Sequence, residues 1–103
     1  MIKFELGGLL FDWDDDKYIE NIRKHGVYFE DAASVFNDEN AVFLPDPEHS
    51  YGEERYIIIG QSKSKNLLTV CHCERQDGEV TRIISSWKAD NYEKQIYRTG
   101  GIL

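Results

Sequence analysis

The 103-residue sequence contains only two cysteines and has no hydrophobic run approaching the length of a membrane-spanning helix. The N-terminal segment MIKFELGGLLF includes an acidic residue and has no small-residue cleavage site, so we do not expect a signal peptide. Cys71 and Cys73 are two positions apart in a predicted strand, a spacing that suits neither a disulfide nor a shared tetrahedral metal site. These absences predict one cytoplasmic domain over 1–103 with two free thiols and no contact with a membrane.

The sequence also lacks the short motifs of several large enzyme classes. It contains no Walker A loop, no GxGxxG motif and no GxSxG motif. The histidines His25, His49 and His72 lie at a predicted helix end, in a loop and in a strand, and none has a second histidine at metal-ligand spacing. We therefore expect no cofactor and no metal site, and no motif supports a metabolic enzyme.

Positive charge is scarce, and it is unevenly distributed along the chain. The net charge is −7. Residues 1–54 contain 4 Lys/Arg and 14 Asp/Glu, whereas residues 55–103 contain 8 Lys/Arg and 5 Asp/Glu. Any anion-binding surface should therefore come mostly from the second half, and the acidic first half would either repel RNA or attract a basic partner.

Hydrophobic periodicity and turn chemistry predict an α+β domain. Two N-terminal helices are predicted over 15–25 and 30–37, and a C-terminal helix over 89–97. An antiparallel meander is predicted from three strands, over 55–61, 67–75 and 80–86. A short strand is expected within 4–13, with a hairpin as the alternative because Gly7-Gly8 interrupts the apolar run and leaves the register open. A further short strand or edge segment is expected at 41–44. The predicted sheet is small, with three to four strands, and the two N-terminal helices should pack on one of its faces through Ile19, Ile22, Val35 and Phe36.

Basic side chains are expected near one end of this sheet. The candidates are Arg55, His72, Arg75 and Arg82. Arginines bind phosphate through paired hydrogen bonds, and histidine titrates near neutral pH. His72 and Arg75 start on opposite faces of their strand, so a complete cluster requires Arg75 to lie past the strand end. These residues alone favour the alternative of ordinary surface ion pairs, for example between Glu53 or Glu54 and an arginine.

Four groups of residues occur in a specific order along the chain. The first comprises Phe11-Asp12-Trp13-Asp14, Lys17, Asn21, Arg23-Lys24-His25-Gly26-Val27, Phe29, Ala32 and Val35-Phe36. The second comprises Pro45-Asp46-Pro47-Glu48-His49-Ser50, Gly52-Glu53-Glu54-Arg55 and Ile59-Gly60. The third is Val70-Cys71-His72-Cys73-Glu74-Arg75, and the fourth comprises Arg82-Ile83-Ile84-Ser85, Lys88-Ala89, Glu93 and Tyr97. Their order and spacing resemble the BrnT family of type II toxin–antitoxin toxins over about residues 11–97.

The resemblance implies a RelE-like ribonuclease fold and an RNA endonuclease that inhibits translation. It also implies a ribbon-helix-helix antitoxin as partner, RNA as substrate, and cleavage without a metal by attack of a ribose 2′-hydroxyl on the adjacent phosphate. Such chemistry needs a base, an acid and cations around the phosphate. Carried onto this chain, Arg55, Arg75 and Arg82 would stabilise the phosphate and His72 would titrate. Lys24 and His25 form a second candidate set, and Glu53 would orient an arginine or accept a proton.

Two features depart from the family pattern. Related sequences often continue Ile-Ser-Ala-Arg in the last strand, whereas this chain has Ile84-Ser85-Ser86-Trp87 and lacks that cation. Family members are also commonly more basic. These departures support an alternative function, a catalytically weak BrnT-like binding module that acts mainly as the partner of an antitoxin.

Overall fold

The computed structural model describes residues 1–50 and 52–102. The helices are α1 (Asp15–His25), α2 (Phe29–Ser34) and α3 (Asn91–Arg98). The strands are β1 (Phe4–Leu6), β2 (Leu9–Asp12), β3 (Val42–Pro45), β4 (Arg55–Gln61), β5 (Leu67–Arg75) and β6 (Val80–Lys88). Short 3₁₀ turns occupy Val35–Asn37 and Pro47–His49. The α+β class and the three predicted helices are confirmed.

The sheet is larger than predicted, because it has six strands in the order β1-β2-β6-β5-β4-β3. The predicted meander β4-β5-β6 forms its centre, with antiparallel pairing throughout. The N-terminal segment is a hairpin, in which Gly7 and Gly8 both adopt positive φ between β1 and β2. This hairpin joins the sheet because β2 pairs in parallel with the first half of β6. Parallel pairing of segments about 70 residues apart has no local sequence signal, so the prediction missed it.

Local sequence explains the bounds of α1. The Asp14 side chain accepts a hydrogen bond from the Lys17 backbone N–H at 3.0 Å, and Gly26 ends the helix in the left-handed conformation. The carboxamide of Asn21 then attaches α1 to the edge of β6 beyond the end of β2. It accepts from the Ser86 N–H and donates to the Ser86 carbonyl, both at 2.9 Å. Asn21 thus takes the place of a neighbouring strand at this edge.

One face of the sheet, the helix face, packs against the N-terminal helices. Phe11, Ile58, Val70 and Ile83 are buried there against Phe29 and other side chains of α2. Val35 and Phe36 join this core as predicted. The prediction for Ile19 is wrong, because this side chain is 66% exposed and the buried position of α1 is Asn21.

The opposite face is covered at one end by α3. Ile96 and Ala89 pack there with Ile59 and Val42. A capping box between Asp90 and Glu93 begins the helix. Near its end, the Tyr97 hydroxyl donates to Asp38 at 2.7 Å, which fastens α3 to the loop before β3. The other end of this face, where β4 begins, is left without a covering helix and carries the arginines.

Candidate phosphate-binding site

The strand register places three side chains in one row at the uncovered end of the opposite face. Arg55 on β4 pairs with Cys73 on β5, and Cys73 pairs with Arg82 on β6. Directly paired residues project to the same face of a sheet. The next row, Tyr56–His72–Ile83, projects to the other side, where His72 contacts Phe36 of the helix layer. The end of the face that holds Arg55, Arg75 and Arg82 is called the arginine face below.

Glu53 connects two of these arginines. One carboxylate oxygen lies 3.0 Å from a terminal nitrogen of Arg75, and the other lies 3.8 Å from Nε of Arg55. Arg75 is the last residue of β5 and shares its face with Cys73, so it reaches the cluster from within the strand. Arg75 thus lies on the face opposite to His72, and the complete cluster of three arginines and His72, which required Arg75 to lie past the strand end, does not form. Arg55, Arg75 and Glu53 are each only partly exposed, and the carboxylate of Glu53 contacts both guanidinium groups, Arg75 more closely than Arg55.

A buried carboxylate holds the third arginine. Asp12 on β2 accepts hydrogen bonds from Nε of Arg82 at 3.0 Å and from its Nη2 at 3.1 Å. This contact is the main cause that raises the pKa of Arg82, and burial opposes it. The bidentate contact uses one edge of the guanidinium, so the other edge is available to an anion. Asp12 was not among the residues predicted for the site. A signal was present, because Asp12 lies inside the apolar run Leu9-Leu10-Phe11-Asp12-Trp13. A carboxylate buried with such a run needs a positively charged partner.

The structure does not bring His72 to the arginines. The residue is 1% exposed and lies on the helix face among the rings of Phe36, Phe43 and Tyr56. Burial lowers the pKa of His72 to about 4, against a weaker opposing effect of the Val70 carbonyl. The imidazole is therefore neutral at physiological pH and separated from the arginine face by the sheet. The position predicted for His72 is wrong, and its surroundings favour a packing role.

The two thiols lie beneath the arginine face. Cys71 and Cys73 are both free and buried. Burial raises the pKa of Cys71 to about 11 and also raises the pKa of Cys73. A thiol needs its thiolate form to act as a nucleophile or to bind a metal. Both cysteines are thus packing residues that support the arginines above them.

Lys24 and His25 lie at a different place, near the far end of β6. Both are exposed in the last turn of α1. The His25 ring lies 6.1 Å from the Trp87 ring, measured between centroids. Arg82 and Trp87 pair with Cys73 and Thr69, which are four residues apart on β5, so they are separated along the strand by about 13 Å at about 3.3 Å per residue. The two candidate sets of the sequence prediction are therefore two separate places along one strand.

The charge of the arginine face is close to balanced. Three guanidinium groups face two carboxylates, Glu53 and Asp12, which leaves one net positive charge. Within residues 1–50 and 52–102, no group of three or more His, Cys, Asp and Glu side chains is placed to hold a metal ion. No helix of that part of the chain is long and apolar enough to cross a membrane.

Fold and site together define an α+β protein with a cluster of three arginines and two carboxylates on one face of a six-stranded sheet. The family model described as "Ribonuclease toxin, BrnT, of type II toxin-antitoxin system" matches residues 13–93, and the chain belongs to this family. Its structure is similar to that of the ribonuclease toxin BrnT of Brucella abortus, with a TM-score of 0.61 and 24% sequence identity. That match covers 79% of this chain and 96% of the Brucella chain, and at this identity it shows a shared fold. No protein of curated function matches the sequence.

Proposed function

We propose that this protein is a cytoplasmic ribonuclease toxin that cleaves RNA and thereby inhibits translation. Residues 1–103 act as one RelE-like domain in this proposal. The arginine face carries it, because three guanidinium groups on neighbouring strands can surround one phosphate. Membership of a ribonuclease toxin family supports it independently.

The proposed reaction is an internal transfer that needs no metal ion. The ribose 2′-oxygen loses its proton and attacks the adjacent phosphorus, and the bond from phosphorus to the 5′-oxygen breaks. The 5′-oxygen takes up a proton, which leaves a 2′,3′-cyclic phosphate and a 5′-hydroxyl. Negative charge accumulates on the phosphoryl oxygens during the attack, and fixed cations lower the energy of that state.

Each arginine has its own position in this scheme. Asp12 fixes Arg82 through two hydrogen bonds and leaves its other edge for a phosphoryl oxygen. Glu53 holds Arg55 and Arg75, and it either orients them or accepts the 2′-hydroxyl proton. His25 lies beside Trp87, and Lys24 lines the adjoining cleft between α1 and β6, so both would contact nucleotides that flank the scissile phosphate. His72 supports the sheet from the helix face, and this scheme gives it no proton transfer.

The direct test is cleavage of RNA by the purified protein in the presence of EDTA. We expect cleavage by the wild-type chain, and Arg82→Ala and Arg55→Ala should each lower the rate on the order of 10²–10³-fold. Arg98→Ala is the matched control, because it removes an exposed arginine from α3 on a different element. Thermal unfolding of each variant separates a loss of chemistry from a loss of fold. Equal losses in Arg98→Ala and Arg82→Ala would contradict a specific role of the arginine face.

Growth of a host cell gives a second measure of the same function. Expression without antitoxin should stop growth for the wild-type chain and not for Arg82→Ala. If translation is the process inhibited, incorporation of a labelled amino acid into protein should fall before incorporation of labelled nucleosides into RNA and DNA does.

A type II toxin has an antitoxin partner, and we propose that this one is a ribbon-helix-helix protein with a basic segment. The acidic residues of the first half supply a complementary surface. Complementary charge acts mainly on the association rate, so that rate should fall as salt is raised. An association rate that does not change with salt would contradict this electrostatic contribution.

One observation favours the second candidate function, a binding module with little catalysis. Trp87 stands where related sequences often have an arginine, and Asp12 and Glu53 neutralise most of the charge of the arginine face. If the wild-type chain cuts no RNA with or without ribosomes, this function replaces the first. Trp87→Arg then tests the cause, because a gain of cleavage would show that the missing cation had limited the reaction.

A further inference from the structure

We infer that Trp87 and His25 form a stacking subsite for an unpaired base of the RNA, a short distance from the scissile phosphate. This inference rests on the proposed ribonuclease function and names the form of substrate that the site accepts. It assigns to Trp87 a binding role that replaces the missing arginine.

The two rings form an aromatic surface at the end of β6. Their planes are inclined by 48° and their centroids are 6.1 Å apart. His25 is exposed and Trp87 is partly exposed. Trp87 shares its sheet face with Arg82, because Thr69 and Cys73 of β5, which pair with them, are four residues apart. A strand of RNA bound at the arginines can therefore reach the indole along the same face.

A hydrogen bond fixes the plane of the indole. The Trp87 Nε1–H donates to both carboxylate oxygens of Glu93, at 3.2 Å each. Glu93 is itself held by the capping box of α3. A base that stacks on an already oriented ring loses less entropy than one that must order a mobile side chain.

The two tryptophans of the chain differ in burial, and the core accommodates only Trp13. Trp13 is buried in the helix-face core, where its ring contacts Tyr18 and Phe29. Trp87 belongs to neither buried cluster and keeps part of its surface in water. Stacking on a nucleobase uses that remaining apolar surface and leaves the indole N–H bonded to Glu93.

Cations flank the aromatic pair on the side of α1. A cleft of about 320 Å³ between α1 and β6 borders His25 and is lined by Lys17 and Lys24. Glu20 also lines this cleft, and its carboxylate is paired with Arg23. The lysines can contact the phosphates on either side of a stacked base. Aromatic rings beside basic side chains are the usual arrangement for binding single-stranded nucleic acid.

The distance of roughly 13 Å from Arg82 to Trp87 along the sheet decides which base is bound. This distance exceeds the reach from a phosphate to its own base. The subsite thus holds a flanking base, and it requires an RNA that is single-stranded at that position, because a base inside a duplex cannot expose its face.

Binding can be measured without cleavage by using a 2′-O-methyl RNA hexanucleotide, which lacks the attacking hydroxyl. We expect this probe to quench tryptophan emission of the wild-type chain, and Trp87→Phe should abolish that quenching while retaining most of the affinity. Trp87→Ala should weaken binding by about 5- to 100-fold, as the loss of one base stack does. Tyr92→Ala is the matched control, because Tyr92 is a 63% exposed aromatic residue on α3 and should leave affinity unchanged.

The same probe with abasic sites distinguishes base stacking from phosphate contact. It should still bind in a salt-dependent way and should not quench the emission. Cleavage by the wild-type chain with no quenching, or with unchanged affinity in Trp87→Ala, would overturn the subsite and leave the ribonuclease proposal intact. Quenching in the wild-type chain without any cleavage would support the subsite and overturn the ribonuclease. If Trp87→Ala fails to fold, the quenching by intact and abasic probes on the wild-type chain decides the question.

Discussion

The two faces of the sheet differ in composition, although they belong to the same strands: one is a packed apolar core and the other carries the arginines. On the helix face, Phe11, Val70 and Ile83 are sealed beneath α1 and α2, and even His72 is held neutral there. On the arginine face, Arg55 and Arg82 flank Cys73, and each has a carboxylate beside it, Glu53 and Asp12 respectively. Adjacent residues of β5 therefore have different roles: His72 packs, and Cys73 supports a charged surface. Stability should depend mainly on the helix face, and activity on the arginine face.

The largest expected effect is a loss of stability from the helix face. Phe29 is fully buried and its ring stacks on Tyr18 at 5.0 Å between centroids. Phe29→Ala should lower the free energy of unfolding by about 3–5 kcal/mol, through lost burial and a cavity. Denaturant unfolding measures this change. The fraction that remains folded should cleave RNA at the wild-type rate, and a slower rate per folded molecule would contradict the separation of the two faces.

The second largest effect is expected from Asp12, the buried carboxylate that holds Arg82 on the arginine face. Asp12→Asn removes the charge that fixes Arg82, and we expect kcat to fall on the order of 10²-fold with a smaller change in KM, because a misplaced guanidinium acts chiefly in the transition state. Asp12→Glu should restore part of the rate.

Asp38→Asn is the control for this change. Asp38 accepts hydrogen bonds from the Tyr97 hydroxyl and from the Gln61 N–H, far from the arginines. This variant should lose stability without a loss of kcat. If Asp12→Asn and Asp38→Asn behave alike, Asp12 is structural only.

The pH dependence of stability should reveal the neutral histidine of the helix face. His72 has a pKa of about 4 in the folded chain, below the value of about 6.5 expected in the unfolded chain. The unfolded state therefore takes up the proton first as pH falls, and stability is lost between about pH 6.5 and 4. The loss from pH 7 to pH 5 should be about 2 kcal/mol.

His72→Phe should remove this part of the pH dependence. Ile83→Val, a change at the buried residue paired with His72 on β6, should lower stability equally at both pH values. Urea unfolding at pH 7 and pH 5 gives both comparisons. An unchanged slope in His72→Phe would contradict the assignment.

A smaller effect concerns the carboxylate shared by two arginines. Glu53→Gln frees Arg55 and Arg75 from their counter-charge. RNA should bind more tightly, and the plot of log K against log salt should steepen by about 0.7, as for one additional phosphate contact with a single strand. Cleavage should stay within a few-fold of wild type if Glu53 only orients the arginines.

Glu54→Gln is the matched control, because the exposed carboxylate of Glu54 bonds to the Tyr56 hydroxyl instead of an arginine. It should change the salt dependence less. A loss of cleavage on the order of 10²-fold in Glu53→Gln, together with the loss of one limb of the pH–rate profile, would show that Glu53 accepts the proton.

The smallest effect is the slow reaction of the thiols beneath the arginine face. Burial raises the pKa of Cys71 to about 11, so little thiolate forms at pH 8. Iodoacetamide should modify neither Cys71 nor Cys73 rapidly in the folded chain and should modify both in denaturant. Mass spectrometry gives the extent of modification. Rapid labelling of the folded chain would contradict the packing assigned to these residues.

The local structure and most residues of the arginine face could be predicted from the order of amino acids. Asp14 and Gly26 mark the ends of α1, and the turn before Val80 sets the β5–β6 hairpin, because capping and turn formation depend on neighbouring residues. Alternation along β5 predicted His72 and Arg75 on opposite faces, and the structure places them so. The arginines were identified from their positions at strand ends, and Glu53 from its proximity to Arg55 in sequence.

Which of these residues contact one another depends on long-range pairing of strands and helices. The parallel pairing of β2 with β6 brings Asp12 to Arg82, and α1 reaches the same strand through Asn21 and Ser86. The same pairing leaves the second half of β6 for His25 and Trp87. These contacts join segments about 60 to 70 residues apart, and their register is set by burial of the whole helix face rather than by any local preference. Local sequence patterns do not specify the pairing of such distant segments. The helices and strands were therefore predictable, whereas the geometry of the site was not.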